Sequence, residues 1–243
     1  MLRQSIVGLG VYVCISFTAS HASAQECRAT PHANAPTSGT AEAVESSKGI
    51  TIDFDHFATG KAPEGFLSTV NGKEKTADWE IRPEPTAPSS PNVLAQISSQ
   101  EGSFRFPLLV YNKFTGKNVE VTVHFKPISG KIDQVAGIVV RYQDETHFYG
   151  IQANALKNDV RFDKVVNGVH QPISNAHALV TSGKWHEIQL SAQGTHFRIC
   201  FDGTLLFEAE DDTYQQAGKV GLSTKSDSVT VFDDLYLVGG EEQ

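Results

Sequence analysis

The chain has 243 residues, 20 of them basic and 28 acidic, giving a formal net charge of −8 with 40% hydrophobic residues. That length suits one β-domain with extensions. The acids are scattered, and a negative surface repels phosphate backbones and anionic lipid heads, which argues against nucleic acid and membrane partners. At the start, Arg3, the apolar run Ile6 to Phe17 and the small-x-small triplet Ala22-Ser23-Ala24 read as an export signal cut after Ala24. The run is too short to cross a bilayer of about 30 Å comfortably. The mature chain is therefore expected to be secreted or periplasmic, with no membrane insertion after processing. Cys27 and Cys200 remain. Export permits a disulfide between them; the alternative is a buried Cys200 and a free Cys27 thiol, since pairing geometry is not legible in sequence.

Arg28 to Gly49 is rich in Ala, Thr, Ser and Pro, lacks aromatic residues and reads as a flexible tail. The expected organisation is a signal at 1–24, a tail at 25–49, a β-sandwich at 50–238 and a short tail at 239–243. Ile50 to Phe54 opens the domain with a clear alternation, Ala62 to Ala77 reads as a turn-rich connection, and Trp79 begins another strand. Pro83 to Pro91 is a loop, and Val93 to Ile97 and Phe104 to Tyr111 are short strands. Val119 to Phe125 alternates strictly, with Glu120, Thr122 and His124 on one face and apolar residues on the other, as a half-buried strand does. Val135 to Tyr142, Phe148 to Asn154, Val160 to Val166, Trp185 to Ala192, Gly218 to Ser223 and Val229 to Val238 follow. Asn167-Gly168 and Asp202-Gly203 carry the two positive-φ residues of type I′ hairpin turns. About a dozen strands with no helical periodicity predict an all-β, antiparallel two-sheet β-sandwich, whose sheets bury each other's apolar faces.

Five blocks resemble a known pattern. Gly137 to Asp144 followed by Phe148-Tyr149-Gly150, the Gly183-Lys184-Trp185-His186 run, the Phe201-Asp202-Gly203 hairpin, Gly218 to Leu222, and Val231-Phe232-Asp233-Asp234-Leu235 occur in order. Together they resemble the concanavalin A-like (laminin-G-like) jelly-roll superfamily over about Ile50 to Val238, near the secreted bacterial domains of the 3-keto-disaccharide hydrolase type. The resemblance implies a jelly-roll scaffold and, through the family name, a hydrolase or lyase of modified sugars.

Chemistry is less legible. Jelly-roll glucanases of that superfamily carry Glu-x-Asp-x-Glu on one strand face, and this chain lacks it; the nearest run, Glu208 to Asp212, reads as a solvated acidic turn. No His-x-His or His-Glu-x-x-His spacing, phosphate loop or nucleophile elbow occurs. Asp53 and Asp55, with Asp233 and Asp234, come from the two ends of the domain. If those ends pair, Asp53 and Asp234 could hold a structural calcium; otherwise they are exposed strand-edge acids.

Alternation also sorts the strand polar residues. Arg141 lies opposite Ile138, Val140 and Tyr142; Gln152 and Asn154 opposite Ile151; Arg161 and Asp163 opposite Val160 and Phe162; Glu187 and Gln189 opposite Ile188; Arg198 opposite Ile199. Were these faces to point one way, they would line a groove of paired donors and acceptors suited to sugar hydroxyls, with Tyr149, Trp185 or His147 as a ring at the rim. The bland alternative is a solvent face with cross-strand ion pairs. The leading expectation is a carbohydrate-binding module that recognises a glycan in the groove of the concave sheet through Arg141, Tyr149, Gln152, Asn154, Arg161, Gln189 and Arg198. The alternatives are a hydrolase or lyase with Asp163 and Glu187 as its carboxylates, and an envelope adhesion domain that binds protein.

Overall fold

In the computed structural model, residues 27, 49–72, 75–102 and 104–242 are described. The expected signal segment and, apart from Cys27 and Gly49, the expected tail lie outside the described residues. Every regular element among the described residues is a strand: β1 Ile50–Ile52, β2 Phe66–Asn71, β3 Trp79–Pro83, β4 Asn92–Gln96, β5 Phe106–Gly116, β6 Val119–Ser129, β7 Val135–Asp144, β8 His147–Asn154, β9 Asp159–Val166, β10 Val169–His177, β11 His186–Gln193, β12 His196–Phe201, β13 Thr204–Glu210, β14 Gly218–Ser223, β15 Val229–Val238 and β16 Glu241–Glu242.

They form two antiparallel sheets. The first runs β13-β12-β11-β6-β15-β4-β3, with β1 also on β15; the second runs β10-β9-β8-β7-β14-β5-β16, with β2 also on β5. The strict alternation of β6 does what it predicts. Val119, Val121, Val123 and Phe125 turn inward and meet Ile138, Val140, Ile151, Val160 and Phe162 of the other sheet in one core. Ile188, Leu190, Phe197 and Ile199 complete the first sheet's inner face. The two turns also behave as read: Asn167 and Gly168 have φ of 51° and 79°, and Asp202 and Gly203 have 47° and 74°.

Three stretches depart from the sequence reading. β2 lies inside the segment expected to be a connection. Its six residues are framed by Gly65 and Gly72, and its partner β5, from Phe66↔Tyr111 to Asn71↔Phe106, is distant in sequence. β10, the return strand of the Asn-Gly hairpin, carries Pro172 beside a register shift, which an edge strand tolerates. β16 pairs Glu241 and Glu242 with β5, where a tail was expected.

Arg141 does not face a groove. It is 0% exposed, has a φ of 49° and sits in a bulge where the β7–β8 register slips between Val140 and Asp144. Its Nε donates to Lys117 O at 2.9 Å, its Nη1 to Tyr214 O at 2.8 Å and its Nη2 to Gly194 O at 2.6 Å. The guanidinium also stands 5.1 Å from the Phe197 ring and 5.9 Å from Tyr149. The extra residue reverses the inside-outside order of β7. Ile138 and Val140 are in the main core, whereas Tyr142 joins Val139, Leu108, Val110, Phe148 and Val165 in a second cluster. Gly218 makes the bulge possible, because a Cβ there would lie 2.4 Å from the Arg141 carbonyl carbon.

Cys27 and Cys200 form a disulfide with a Cα–Cα distance of 6.3 Å, and Cys27 N donates to Gly203 O at 3.3 Å. Two outcomes follow from these constraints. Arg141→Ala removes a fully buried guanidinium and strips three carbonyls of their donor, and should lower the urea unfolding free energy by about 2–3 kcal/mol or more; a near-unchanged midpoint would remove Arg141 from this role. Cys27→Ser with Cys200→Ser should cost about 2–5 kcal/mol in the same measurement, because the bond closes a long loop of the unfolded chain.

Candidate functional site

Apart from Arg141, the polar residues selected by alternation do face outward, but from both sheets and therefore in opposite directions. Glu187, Gln189 and Arg198 are on β11 and β12, outside the first sheet; Gln152, Asn154, Arg161 and Asp163 are on β8 and β9, outside the second. Two sheets about 10 Å apart separate them. Asp163 and Glu187 consequently do not form a carboxylate pair across one site.

On the first sheet the polar side chains largely pair with one another, though Arg198 Nη2 and Thr122 Oγ1 are buried without a hydrogen-bond partner among the described residues. Glu187 Oε2 lies 3.6 Å from His124 Nε2, Gln189 Nε2 donates to Glu120 Oε1 at 2.8 Å, and Arg198 Nε meets Glu208 Oε1 at 3.0 Å. This is the cross-strand pattern of a solvent face. Trp185 also sits here, with Lys126 5.1 Å above its ring and its Nε1 donating to Thr86 Oγ1 at 3.2 Å.

Tyr149 points inward instead of standing at a rim. It is fully buried, and its hydroxyl donates to Asp211 Oδ1 at 2.6 Å. Burial would raise the Asp211 pKa, yet hydrogen bonds from Lys164, Thr213 and Tyr149 outweigh it and hold it at about 2. His147 is tied into the turn after β7, its Nδ1 2.9 Å from Asp144 Oδ1.

The expected metal pair is likewise engaged. β1 runs Ile52 opposite Leu235, which brings the two domain ends together as anticipated. Asp53 Oδ1, however, accepts from Asp55 N at 3.1 Å, and Asp234 Oδ2 lies 3.6 Å from His124 Nδ1. Among the described residues no three His, Cys, Asp or Glu side chains group so as to hold a metal ion. Asp233 sits in the bulge of β15, between the part paired with β4 and the part paired with β1. It is wholly buried and accepts from Ser89 N at 2.9 Å and Ser89 Oγ at 3.1 Å. Burial, with Asp234 adjacent, pushes its pKa up to about 7.

The second sheet's outer face is different. A cleft of about 810 Å³ opens there, lined by Asn71, Gly72, Gly102, Phe104, Phe106, Arg161, Gly168, Val169, His170 and Lys225. A smaller cleft shares Arg161 and Lys225 with it and adds Gln152, Asn154, Lys157 and Asp159. The register explains the grouping: Gln152 stands opposite Arg161, Phe148 opposite Val165, and His170 opposite Val165 from the other side. Phe106 and His170 stack with centroids 3.8 Å apart, and Phe104 at the rim is 84% exposed.

Beneath this wall lie two buried carboxylates. Asp163 Oδ1 accepts from Arg161 Nε at 2.6 Å, and its Oδ2 is 3.4 Å from His170 Nδ1. Asp133 meets Lys157 and Lys225, each at 3.2 Å, and accepts from Asn154 Nδ2 at 2.8 Å. Burial would raise both pKa values, but His170 and Arg161 hold Asp163 low, and Lys225 with Asn154 hold Asp133 low. Both stay ionised at neutral pH. His170 Nε2 is fixed by Asn71 Oδ1 at 3.2 Å, and Asn71 Nδ2 donates to Glu145 O at 2.8 Å.

Of the residues selected from sequence, the cleft and its extension therefore gather Gln152, Asn154, Arg161 and Asp163. Asn71, Phe104, Phe106, His170, Lys225 and Asp133 were missed. Their signal was weak: Phe104 and Phe106 look like alternating strand residues, and Asp133 and Lys225 lie in short connections.

Residues 65–238 match the family described as "3-keto-alpha-glucoside-1,2-lyase-like domain". The chain belongs to this family. A TPR repeat-containing protein of Treponema pallidum (strain Nichols) is 36% identical over 88 residues, covering 35% of this chain and 10% of that protein. The chain thus spans about a tenth of the length of the curated relative it matches. Among solved structures, carbohydrate binding module CBM66 from Bacillus subtilis aligns with a TM-score of 0.56 at 18% identity, covering 76% of this chain and 99% of the module. The exoplasmic/lumenal domain of VIP36, in a Ca²⁺/Man-bound form, aligns at 0.55 and 10% identity over 80% of this chain and 95% of its own. A Bacillus licheniformis β-glucanase aligns at 0.53 and 14% identity, covering 81% and 99%. These neighbours establish the concanavalin A-like fold for this member of the 3-keto-alpha-glucoside-1,2-lyase-like family, which is a sugar-related one.

The Asp233 bulge gives this family member a pH signature. Between the ordinary carboxylate value of 3.8 and about 7, the folded protein holds a proton that the unfolded chain has released. Stability should therefore fall as pH rises through that window and be level above it. Asp233→Asn should flatten the slope in melting temperatures taken from pH 4 to 8; an unchanged slope would assign it elsewhere.

Proposed function

We propose that the domain binds a carbohydrate in the cleft outside the second sheet. One observation carries this reading: a cleft of about 810 Å³ combines an almost fully exposed phenylalanine, Phe104, and the Phe106–His170 stack with the Arg161 guanidinium. A sugar ring presents an apolar C–H face and an equatorial belt of hydroxyls, so it needs a ring to lie on and polar groups beside it. The volume is that of an ordinary small-ligand site. Two fold neighbours carry a carbohydrate binding module and a mannose complex in their descriptions, which supports the same reading. The Cys27–Cys200 disulfide supports the exported location that the first 24 residues suggest.

A second reading follows from the family. A 3-keto-glucoside lyase breaks the C1–O bond by elimination: a base removes the C2 proton, acidified by the neighbouring ketone, and its electrons form the C1–C2 double bond as the C1 oxygen departs. Both ring nitrogens of His170 face acceptors, Nδ1 the Asp163 carboxylate and Nε2 the Asn71 oxygen, so His170 positions its neighbours here instead of serving as the base, and Arg161 is the group placed to polarise the ketone. Of the carboxylates expected from sequence, Asp163 remains relevant to this reading because it orients Arg161.

A glycan array on the purified chain, with product analysis of every hit and of a 3-keto-α-glucoside, separates the two. Saturable binding without turnover, weakened at least about tenfold in Phe104→Ala at an unchanged melting temperature, is the expected result. Turnover abolished by Arg161→Gln would replace it with the lyase. Binding unaffected by Phe104→Ala would move the site away from this cleft.

A further inference from the structure

The cleft is rich in donors and poor in acceptors, although the chain as a whole is acidic at −8. Arg161 uses only Nε, on Asp163 at 2.6 Å. Both of its Nη atoms are without a protein partner among the described residues, and its side chain is 40% exposed. Lys225 lines both parts of the cleft. It shares the single carboxylate of Asp133 with Lys157, so one anion faces two ammoniums. In the larger part, the side-chain acceptors that would balance them are spent. Asp133 and Asp163 are 2% and 4% exposed, with their oxygens already engaged. Asn71 has its amide nitrogen on Glu145 O and its oxygen on His170. Asp159 and Gln152 line only the smaller part. An incoming ligand therefore meets donor side chains in the larger part: the guanidinium fork and the Lys225 ammonium.

A neutral sugar hydroxyl donates as well as accepts and would leave its own proton without a partner against such a wall. A carboxylate only accepts, and its two oxygens match the guanidinium fork. We infer that the ligand is an acidic sugar, a uronate, with its carboxylate between the Nη atoms of Arg161 and Lys225 Nζ and its ring beside Phe104 and Phe106. This inference rests on the carbohydrate-binding reading above and narrows it to one chemical class.

The test is calorimetric titration of the purified full chain with a panel of uronic-acid oligosaccharides, each paired with its carboxyl-reduced counterpart, which keeps the ring and linkage but carries a neutral –CH₂OH. The acidic member of at least one pair should bind about tenfold tighter or more, the worth of a charged hydrogen bond, with the gap narrowing as salt rises. Arg161→Gln should remove the preference. Arg161→Lys keeps the charge and the contact with Asp163 but loses the fork, and should lose most of the preference while melting like the parent. Equal or tighter binding of the reduced forms overturns the acidic-sugar inference and leaves carbohydrate binding standing. Binding to neither member of any pair overturns the acidic-sugar inference, and the glycan array decides the carbohydrate-binding reading. A preference that survives in both Arg161 variants overturns the assignment to this cleft.

Discussion

A guanidinium buried without a carboxylate must find its partners among carbonyl oxygens, and Arg141 finds three, from the loop after β5, the β11–β12 turn and the segment after β13. To reach them its backbone adopts a left-handed φ of 49°, which a non-glycine residue takes only when its surroundings enforce it. Burial lowers the pKa of the guanidinium, yet it starts high enough to remain charged. One side chain thus ties both sheets at one end of the sandwich and puts a bulge into the middle of the second sheet.

That bulge has consequences at the cleft. By reversing the alternation of β7 it delivers Tyr142 to the outer face, beside Val139, Phe148 and Val165. The result is an apolar floor on the sheet's outer face, with Tyr142 where unbroken alternation would have put Arg141. Burial, with Glu145 and Asp144 nearby, pushes the Tyr142 hydroxyl up to about 12, so it stays neutral. On this floor the polar groups of β8, β9 and β10 are crowded to one side, and they pair in depth: carboxylates below, cations above. The first sheet's outer face has the same kinds of residue, but there charges pair mostly across neighbouring strands, as Arg198 Nε does with Glu208. The two faces differ in where their spare cation donors sit: Arg198 Nη2 on the first face, without a partner among the described residues, is buried, whereas Arg161 on the second lines an open cleft.

Much of the architecture was legible. The alternation of Val119 to Phe125 and the Asn-Gly and Asp-Gly turns specify half-buried strands and tight hairpins locally, and both appear where read. The pairing of faces within one strand also held for Gln152 with Asn154 and for Arg161 with Asp163, since side chains two apart share a face whatever surrounds them. Legibility failed at Arg141, because a bulge is an insertion into a pairing, and pairing partners are not written in the strand itself. It failed at β2 and at the edge strand β10, whose short or proline-containing sequences become strands because a partner offers hydrogen bonds.

The candidate site shows the same division more sharply. Composition, period and turn chemistry determined that this would be an antiparallel sandwich with polar strand faces, because those properties depend on neighbours along the chain. Which polar face belongs to which sheet was decided only in three dimensions. Asp163 and Glu187 look equivalent in their strands, but strand order sends one to each side of the sandwich. Lys225 and Asp133 come from connections far apart in sequence, and they meet beside Arg161 because β14, β7, β8 and β9 are neighbours in one sheet. Sequence sets the period of a strand; only the closing of the sheets sets what its outward side chains face.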